Sequence, residues 1–422
     1  MKKKLLQIYV FWRIWRNWKR VAKQINSHIY TNNASQCLVI VPCDPWSVGG
    51  SRGDEAMITG VIHRYRNKHP NISIHIVCAD ANGKEYINKL GMDNIHPIIS
   101  WNGAYCMERV YYSILNVNPT EIIILGADCM DGFYAPDLSL NLLALHDLFS
   151  RTNNTKSRLL GFSFNEHPSW LMLLAFRSLS KDIRIRIRDK ISFCRYKRFT
   201  HMPAQLVADA AFMLKPQTDF KMYKEVTDWV SFQHNNGQTI IGLNFHPMLR
   251  TYSGAEDVKG DAIILAHRME EILQQHPTVS LVLIPHDDRS RLSDNLMLST
   301  IFDTLHKYHS RIFYSPEVPR APQLKALCGL LDGLISSRMH LAIAAFGMEV
   351  PVMAATYQGK FEGLFLHFNL DDTFLLNPKR FLSHEIVETF ASFLQAIPDL
   401  KKQISERLPV VQQLSYKNLK DE

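Results

Sequence analysis

The chain has 422 residues, of which 46% are hydrophobic and 21% charged, and its net charge is +8. That length exceeds one ordinary core and suits two α/β domains, while the composition excludes a disordered or fibrous chain. No run approaches the roughly 20 uninterrupted apolar residues of a membrane span. The positive charge is local: Lys2, Lys3, Lys4, Arg13, Arg16, Lys19, Arg20 and Lys23 fall within the first 30 residues with no acid among them. The rest of the chain is therefore balanced, and no nucleic-acid-binding signature accompanies it.

Lys2 to Ile25 places Ile8, Phe11, Trp12, Trp15, Trp18, Ala22 and Ile25 on one side of a helix, with Arg13, Arg16, Arg20 and Lys23 on its flank. Two readings stay open. An aromatic stripe beside a basic one suits a helix lying in an anionic membrane interface, and it equally suits a helix docked on protein. A secretory signal is a poor fit, because Arg13 interrupts a short apolar run and no small-residue cleavage site follows. Residues 1–36 are read as this helix and a polar linker over 31–36.

Cys37 to Pro42 is the first buried strand, followed by a loop with Gly49, Gly50 and Gly53 and a helix from Asp54. Glycines between strand and helix let backbone approach a phosphate or sugar, or they make a tight turn with Asp54 as cap. Further strands near Ile72–Cys78, Ile95–Ile99, Glu121–Gly126 and Arg158–Phe164 alternate with helix-length segments. The pattern implies a parallel, doubly wound sheet. At strand ends stand Asp128, able to bond a sugar hydroxyl or cap a loop, and His167, a helix start or a catalytic group. Ile183 to Asp189 alternates strictly, which puts Arg184 and Arg186 on a wet face and Arg188 at the strand end, a candidate donor to carboxylate or phosphate.

The seven cysteines show no CxxC spacing and read as buried thiols in a reducing compartment. The polar stretch 216–236 is read as the linker between a first domain over 37–215 and a second over 237–380. Strands at Thr239–Phe245, Val279–Pro285 and Arg311–Tyr314 open the second domain. His286 follows the middle one, with Asp287 and Asp288, an acid pair that could hold a metal but, without a third ligand, better suits sugar, phosphate or capping. Residues 381–422 are read as C-terminal helices whose charged last turns fray.

The densest stretch runs from Gly333 to Gly363. A strand breaks at Ser336-Ser337, a helix opens with Arg338-Met339-His340 and closes at Gly347, and the strand Val350–Ala355 leads to Lys360. Polar groups at the carboxyl ends of parallel strands face the crevice where such sheets bind ligands. A helix start with Arg338, His340 and Lys360 beside it is an anion site carrying a titratable group, although a histidine there also serves as an ordinary structural residue.

Ser336 to His340, Gly347, Val350-Pro351-Val352 and Tyr357 through Lys360 resemble the C-terminal signature of the polysaccharide pyruvyl transferase family. Arg188-Asp189 with Ser192, Asp209 with Ala211-Phe212, and Gly53-Asp54 with Ala56 are similar to its other elements, whereas Gly126-Ala127-Asp128 stands where a glycine triplet is expected. The resemblance implies two Rossmann-like doubly wound domains of GT-B-like architecture, preceded here by the amphipathic helix. It implies a transferase of class EC 2.5.1 that moves pyruvate from phosphoenolpyruvate, as a ketal, onto a cell-surface polysaccharide or its lipid-linked precursor, with no further cofactor and no metal. The site is expected between the domains. His340 and Arg338 are then the catalytic candidates. Ser336, Ser337, Arg338, Lys360, Arg188 and His286 bind the donor, and Gly53, Asp54 and Asp128 the acceptor. The expected location is cytoplasmic, peripheral at the inner membrane face through residues 1–25 on the membrane reading. A GT-B glycosyltransferase using a nucleotide sugar and a non-catalytic glycan-assembly protein are the alternatives.

Overall fold

The computed structural model describes residues 2–25, 36–48, 51–152, 155–180, 183–249, 257–289, 293–356 and 359–420. Gly49, Gly50, Tyr357, Gln358 and most of the 31–36 linker, all singled out above, lie outside the described residues. The chain divides into two units. The first comprises Met1–Gly49, Met57–Met213 and Gln413–Glu422, and the second comprises Gly50–Ala56 and Leu214–Gln412.

The first unit is built on strands β1 (Cys37–Val41), β2 (Ser73–Cys78), β3 (Ile95–Ile99), β4 (Glu121–Ile124) and β5 (Lys156–Leu159), all parallel in the order β3-β2-β1-β4-β5. Every residue of β1 is buried, as a central strand covered on both faces requires. Helices α1 (Lys2–Ile25), α2 (Arg52–Lys68), α3 (Ala81–Lys89), α4 (Met107–Leu115), α5 (Pro136–Ser150), α6 (Trp170–Arg177) and α7 (Lys190–Thr200) accompany it, and β6 (Arg186–Ile187) pairs with β7 (Gln205–Leu206).

Helix α1 docks on α5. Its buried residues are Phe11, Ile14, Trp18, Val21, Ala22 and Ile25, so the seam keeps Phe11, Trp18, Ala22 and Ile25 of the expected face, is rotated toward Ile14 and Val21, and leaves Trp12 exposed. Trp18 Nε1 donates to Asp147 Oδ2 at 2.8 Å, Arg151 Nε reaches the same oxygen at 2.8 Å, and Lys19 Nζ bonds Ser178 O at 3.0 Å. Docking on the protein itself thus accounts for this stripe. No described helix is long and apolar enough to cross a membrane.

The second unit holds six parallel strands, β8 (Thr239–Asn244), β9 (Val279–Leu283), β10 (Ile312–Tyr314), β11 (Gly333–Ser336), β12 (Val352–Ala355) and β13 (Leu375–Leu376), in the order β10-β9-β8-β11-β12-β13. Around them lie α8 (Lys221–Asn235), α9 (Val258–Gln275), α10 (Asn295–Thr304), α11 (Ala321–Cys328), α12 (Met339–Phe346), α13 (Lys360–His367), α14 (Pro378–Leu382) and α15 (Glu385–Tyr416). The stretch read as a linker over 216–236 therefore carries α8. Its Met222, Val226, Val230 and Gln233 are buried at helical spacing, an apolar stripe that its polar majority hides.

Two further expectations change. Arg186 is buried, not on a wet face, because the chain end returns over β6 and Lys420 O accepts from its Nη2 at 3.4 Å. The last turns are anchored: Asn418 Oδ1 accepts Gly161 N–H at 2.7 Å, its Nδ2 donates to Ala208 O at 2.8 Å, and Ser415 Oγ donates to Asp209 O at 2.7 Å. The described cysteines form no disulfide, and all but Cys194 are buried.

Trp18 has no exposed surface and its indole N–H is used. Replacing Trp18 with Ala should cost about 3–5 kcal/mol, read as a lowered urea midpoint, and a loss below about 1 kcal/mol would show that α1 is not part of the first core.

Candidate functional site

The order β10-β9-β8-β11-β12 reverses direction between β8 and β11, and in a doubly wound sheet the crevice opens beyond the carboxyl ends of the strands at that point. Three adjacent strands each lead to a histidine there: β9 to His286, β8 to His246 and β11 to His340. Lys360 follows β12 at the first residue of α13. Ser336 is in register with Asn244 across the switch point.

The strand ends are bound by one guanidinium. Arg338, 8% exposed, donates from Nη1 to Asp287 Oδ2 at 3.0 Å and from Nε and Nη2 to Asp294 Oδ1 at 3.0 and 2.6 Å. Both aspartates are fully buried. Asp294 stands at the N-cap position of α10 yet turns its carboxylate inward, where Oδ2 also accepts Asn244 Nδ2 at 2.8 Å and His286 N–H at 2.9 Å. Asp287 additionally holds Arg289, whose Nη2 lies 2.7 Å from Oδ2. Burial works against ionisation of Asp287, but the Arg289 hydrogen bonds and the charge of Arg338 outweigh it and hold its carboxyl below the ordinary value.

Ser336 and Ser337 are buried braces. Ser336 Oγ accepts Arg338 N–H at 3.0 Å, and Ser337 Oγ accepts His246 N–H at 2.6 Å. His246 Nδ1 accepts Met248 N–H at 3.0 Å, which leaves any imidazole proton on Nε2. Burial, reinforced by Arg338, pushes its pKa down to about 2. His286 is likewise driven well below the ordinary histidine value, by burial first and then by Arg338, His340, Arg52 and Arg289. Its Nδ1 has no hydrogen-bond partner among the described residues. A buried, neutral, unsatisfied ring nitrogen is the kind of group a ligand completes.

The segment Gly50–Ala56, expected in the first domain, belongs to the second unit. Ser51 bridges Asp287, Arg52 Nη2 meets Asp288 Oδ2 at 3.3 Å, and Glu55 receives Arg52 Nη1 at 3.2 Å and Arg320 Nε at 3.0 Å. Gly53 lies against the His340 ring: a Cβ built there would stand 2.3 Å from Nδ1. Only glycine admits the backbone this close, so the segment acts as a wall that sets the position of His340. Helix α2 starts at Arg52, so Asp54 is buried in its first turn and does not cap it.

Other candidates lie elsewhere. Arg188 is in the first unit, where Nη1 pairs with Asp209 Oδ2 at 2.7 Å and Nε donates to Ser163 Oγ at 2.7 Å, both acid and base buried. Asp189 caps α7 by accepting Ser192 N–H at 2.7 Å. Asp128 follows β4, next to Ala127 at φ +43°, a left-handed conformation suited to the glycine expected there. The structure thus gathers His286, Ser336, Ser337, Arg338, His340, Lys360, Gly53 and Asp54 in one unit and leaves Arg188 and Asp128 in the other. Sequence reasoning missed His246, Asn244 and Asp294. The signal for the first two was the strand-end rule already applied to His286, since Asn244 ends β8 and His246 follows.

The histidines give a pH dependence. In the unfolded chain His246 and His286 protonate near pH ~6.5, whereas the fold holds both neutral well below that. Below that value the unfolded state binds protons that the native state refuses, so stability falls as pH falls, by up to about 1.4 kcal/mol per pH unit for each ring. The urea midpoint should drop from about pH 7 to about pH 5, and the His246→Asn/His286→Asn chain should lose it less steeply. An equal slope in the variant would count against buried neutral rings.

Comparison with known proteins places this geometry. Similar solved structures include a Listeria monocytogenes protein assigned as a UDP-N-acetylglucosamine 2-epimerase, with TM-score 0.57, 12% identity and coverage of 89% of this chain and 91% of that one. An S. aureus MnaA–UDP co-structure gives 0.55 at 11% identity, covering 88% and 91%. A trehalose 6-phosphate synthase from Burkholderia multivorans gives 0.53 at 11% identity, covering 91% and 97%. At such identities the likeness shows the fold, which is GT-B. No curated protein matches the chain. The family model for polysaccharide pyruvyl transferase matches residues 52–359, a span that begins with the wall at Arg52-Gly53, takes in all three strand-end histidines and ends at Gly359 beside Lys360, and the chain belongs to that family.

Proposed function

We propose that the chain transfers a pyruvyl group from phosphoenolpyruvate to a pair of hydroxyls on a glycan, with the second unit holding the donor. The observation that carries this reading is the row of histidines after β9, β8 and β11, followed by Lys360 after β12, in a chain of this family. Phosphoenolpyruvate brings a carboxylate and a phosphate, which call for cations and N–H donors. Lys360 and the head of α12 supply them. Arg338 is committed to Asp287 and Asp294, so its role is to set the strand ends and bias the field, and the donor is held by its neighbours.

Ketal formation needs a proton delivered to the methylene carbon, making it a methyl group and leaving C2 electron-poor. One acceptor hydroxyl then bonds to C2 as it loses its proton. The second hydroxyl bonds to C2 as the C2–O bond to phosphate breaks, and its proton leaves with inorganic phosphate. His340, at the second position of α12, is the acid for the methylene carbon. His286 is neutral at physiological pH and its unsatisfied Nδ1 suits the acceptor proton.

A nucleotide-sugar transferase on the same scaffold is the second reading, because a GT-B neighbour is described with UDP. Glu362, which accepts Thr356 Oγ1 at 2.8 Å beyond β12, would be its ribose-side acid.

Thermal unfolding separates the two. Phosphoenolpyruvate should raise the midpoint, and a panel of nucleotide sugars should not. A rise with a nucleotide sugar alone would overturn the pyruvyl reading. His340→Asn should keep the phosphoenolpyruvate shift while turnover falls roughly 100-fold or more. Undiminished turnover would remove His340 from the chemistry.

Gly53→Ala tests the wall. The added methyl must displace the His340 ring, so kcat should fall roughly tenfold or more with the unfolding midpoint nearly unchanged. Wild-type kcat in that variant would show that the ring position is unimportant.

A further inference from the structure

The first unit carries a surface that neither its core nor the proposed chemistry uses. On α1 the docked stripe begins at Phe11, yet Leu5, Leu6 and Tyr9 are more than half exposed and Trp12 is exposed as well. Helices α1, α5 and α6 run side by side in one direction. At one end Trp18 meets Asp147, Lys19 meets Ser178, and Ser180 N–H reaches Asp147 Oδ1 at 3.2 Å. Toward the other end Arg13 lies over Tyr105 and Asn141 Nδ2 bonds Ala104 O at 2.8 Å, while Asp131 O accepts Ser169 N–H at 2.9 Å. The amino ends of the three helices therefore share one edge.

That edge is the carboxyl edge of the first sheet, because α5 and α6 follow β4 and β5. The segments leaving four of its strands each expose aromatic residues there: Trp46 after β1, Tyr105 after β3, Phe133 and Tyr134 after β4, and, after β5, Trp170 at the first position of α6, 54% exposed. Beside them, a cavity of about 580 Å³ between α1 and α4 is lined by Arg13, Arg16, Arg20, Tyr105, Glu108 and Asn141. Glu108 is the one acid in that lining, and Arg20 pairs with it at 2.6 Å.

We infer that this edge of the first unit seats on a bilayer containing anionic lipid, with Leu5, Leu6, Tyr9, Trp12, Phe133 and Trp170 at the headgroup boundary and a lipid phosphate at Arg13 and Arg16 of the cavity. Charge chooses the occupant. Lys2, Lys3, Lys4, Arg13 and Arg16 fall in the first two thirds of α1, on the side of the amino end, with no acid among them, and suit an anionic surface, and Trp and Tyr ends suit a boundary that is apolar on one side and wet on the other. Seating of this kind does not depend on which donor the second unit binds. On the proposed function it would bring a lipid-linked glycan to the sheet edge that in doubly wound folds receives ligands.

Deleting residues 1–30 would remove Trp18 from the core, so point variants of the full chain are the test. Purified protein should sediment with vesicles of equal parts phosphatidylcholine and phosphatidylglycerol, less so in high salt, and weakly with phosphatidylcholine alone. Arg13→Gln/Arg16→Gln should lower anionic-vesicle binding roughly tenfold or more. Phe133→Ser/Trp170→Ser should lower it comparably, with both pairs keeping the wild-type unfolding midpoint. Absence of anionic-vesicle binding at low salt, or undiminished binding in both pairs, overturns the inference. So does self-association without vesicles that the aromatic pair abolishes, which would make a second copy the occupant.

Discussion

The contact on which the second unit depends is the bridge from Arg338 to Asp287 and Asp294. A buried charge is tolerable only where it is paired and its hydrogen bonds are filled, and here one guanidinium serves two carboxylates that have no exposed surface. Because Asp287 lies beyond β9, Asp294 at the head of α10 and Arg338 beyond β11, the bridge ties together chain ends that strand pairing alone leaves loose. Asn244 adds β8 to the same knot through Asp294 and Ile284 O. The knot gives the row of histidines a rigid base.

The same bridge sets the electrical state of the site. Arg338 and Arg289 raise the cost of protonating His286 and His246, and Arg52 that of His286, on top of what burial imposes. His340 is less deeply buried and takes its position from contact with Gly53. Rings on adjacent strands thus sit in different environments.

How much of this was legible depended on range. Strand, turn and helix between Gly333 and Gly363 could be read locally, because Ser336 to His340 interrupts an apolar pattern at the point where a parallel strand must end. The partnership of Arg338 with Asp294 spans 44 positions and that of Arg188 with Asp209 spans 21, and no local pattern announces either. Asp294 stands at a helix N-cap position but caps nothing with its side chain, which turns inward to Arg338. Burial periodicity failed where polar residues dominate: α8 hides four buried positions in a stretch that composition reads as linker. In α1 the aromatic side chains drew the seam toward Trp12 and Trp15, whereas close packing on α5 selected the spacing of Phe11, Ile14, Trp18, Val21 and Ile25. The position of Gly53 against His340 is the least legible feature, since it joins residues about two thirds of the chain apart.

The carboxyl edges of the two sheets differ in a way that bears on what each unit meets. Beyond the second sheet stand histidines, arginines, aspartates and a lysine, a surface that water or a small anion would wet. Beyond the first stand Trp46, Tyr105, Phe133, Tyr134 and Trp170, together with the uncovered start of α1. Exposed aromatic side chains gathered beyond four strands of one sheet are costly in water and are kept where something apolar covers them. Since the stripe that holds α1 to α5 already satisfies the needs of the fold, the exposed end of α1 is surplus to stability. Its arrangement beside Arg13 and Arg16 is what an amphiphile with a charged head and an apolar tail would match.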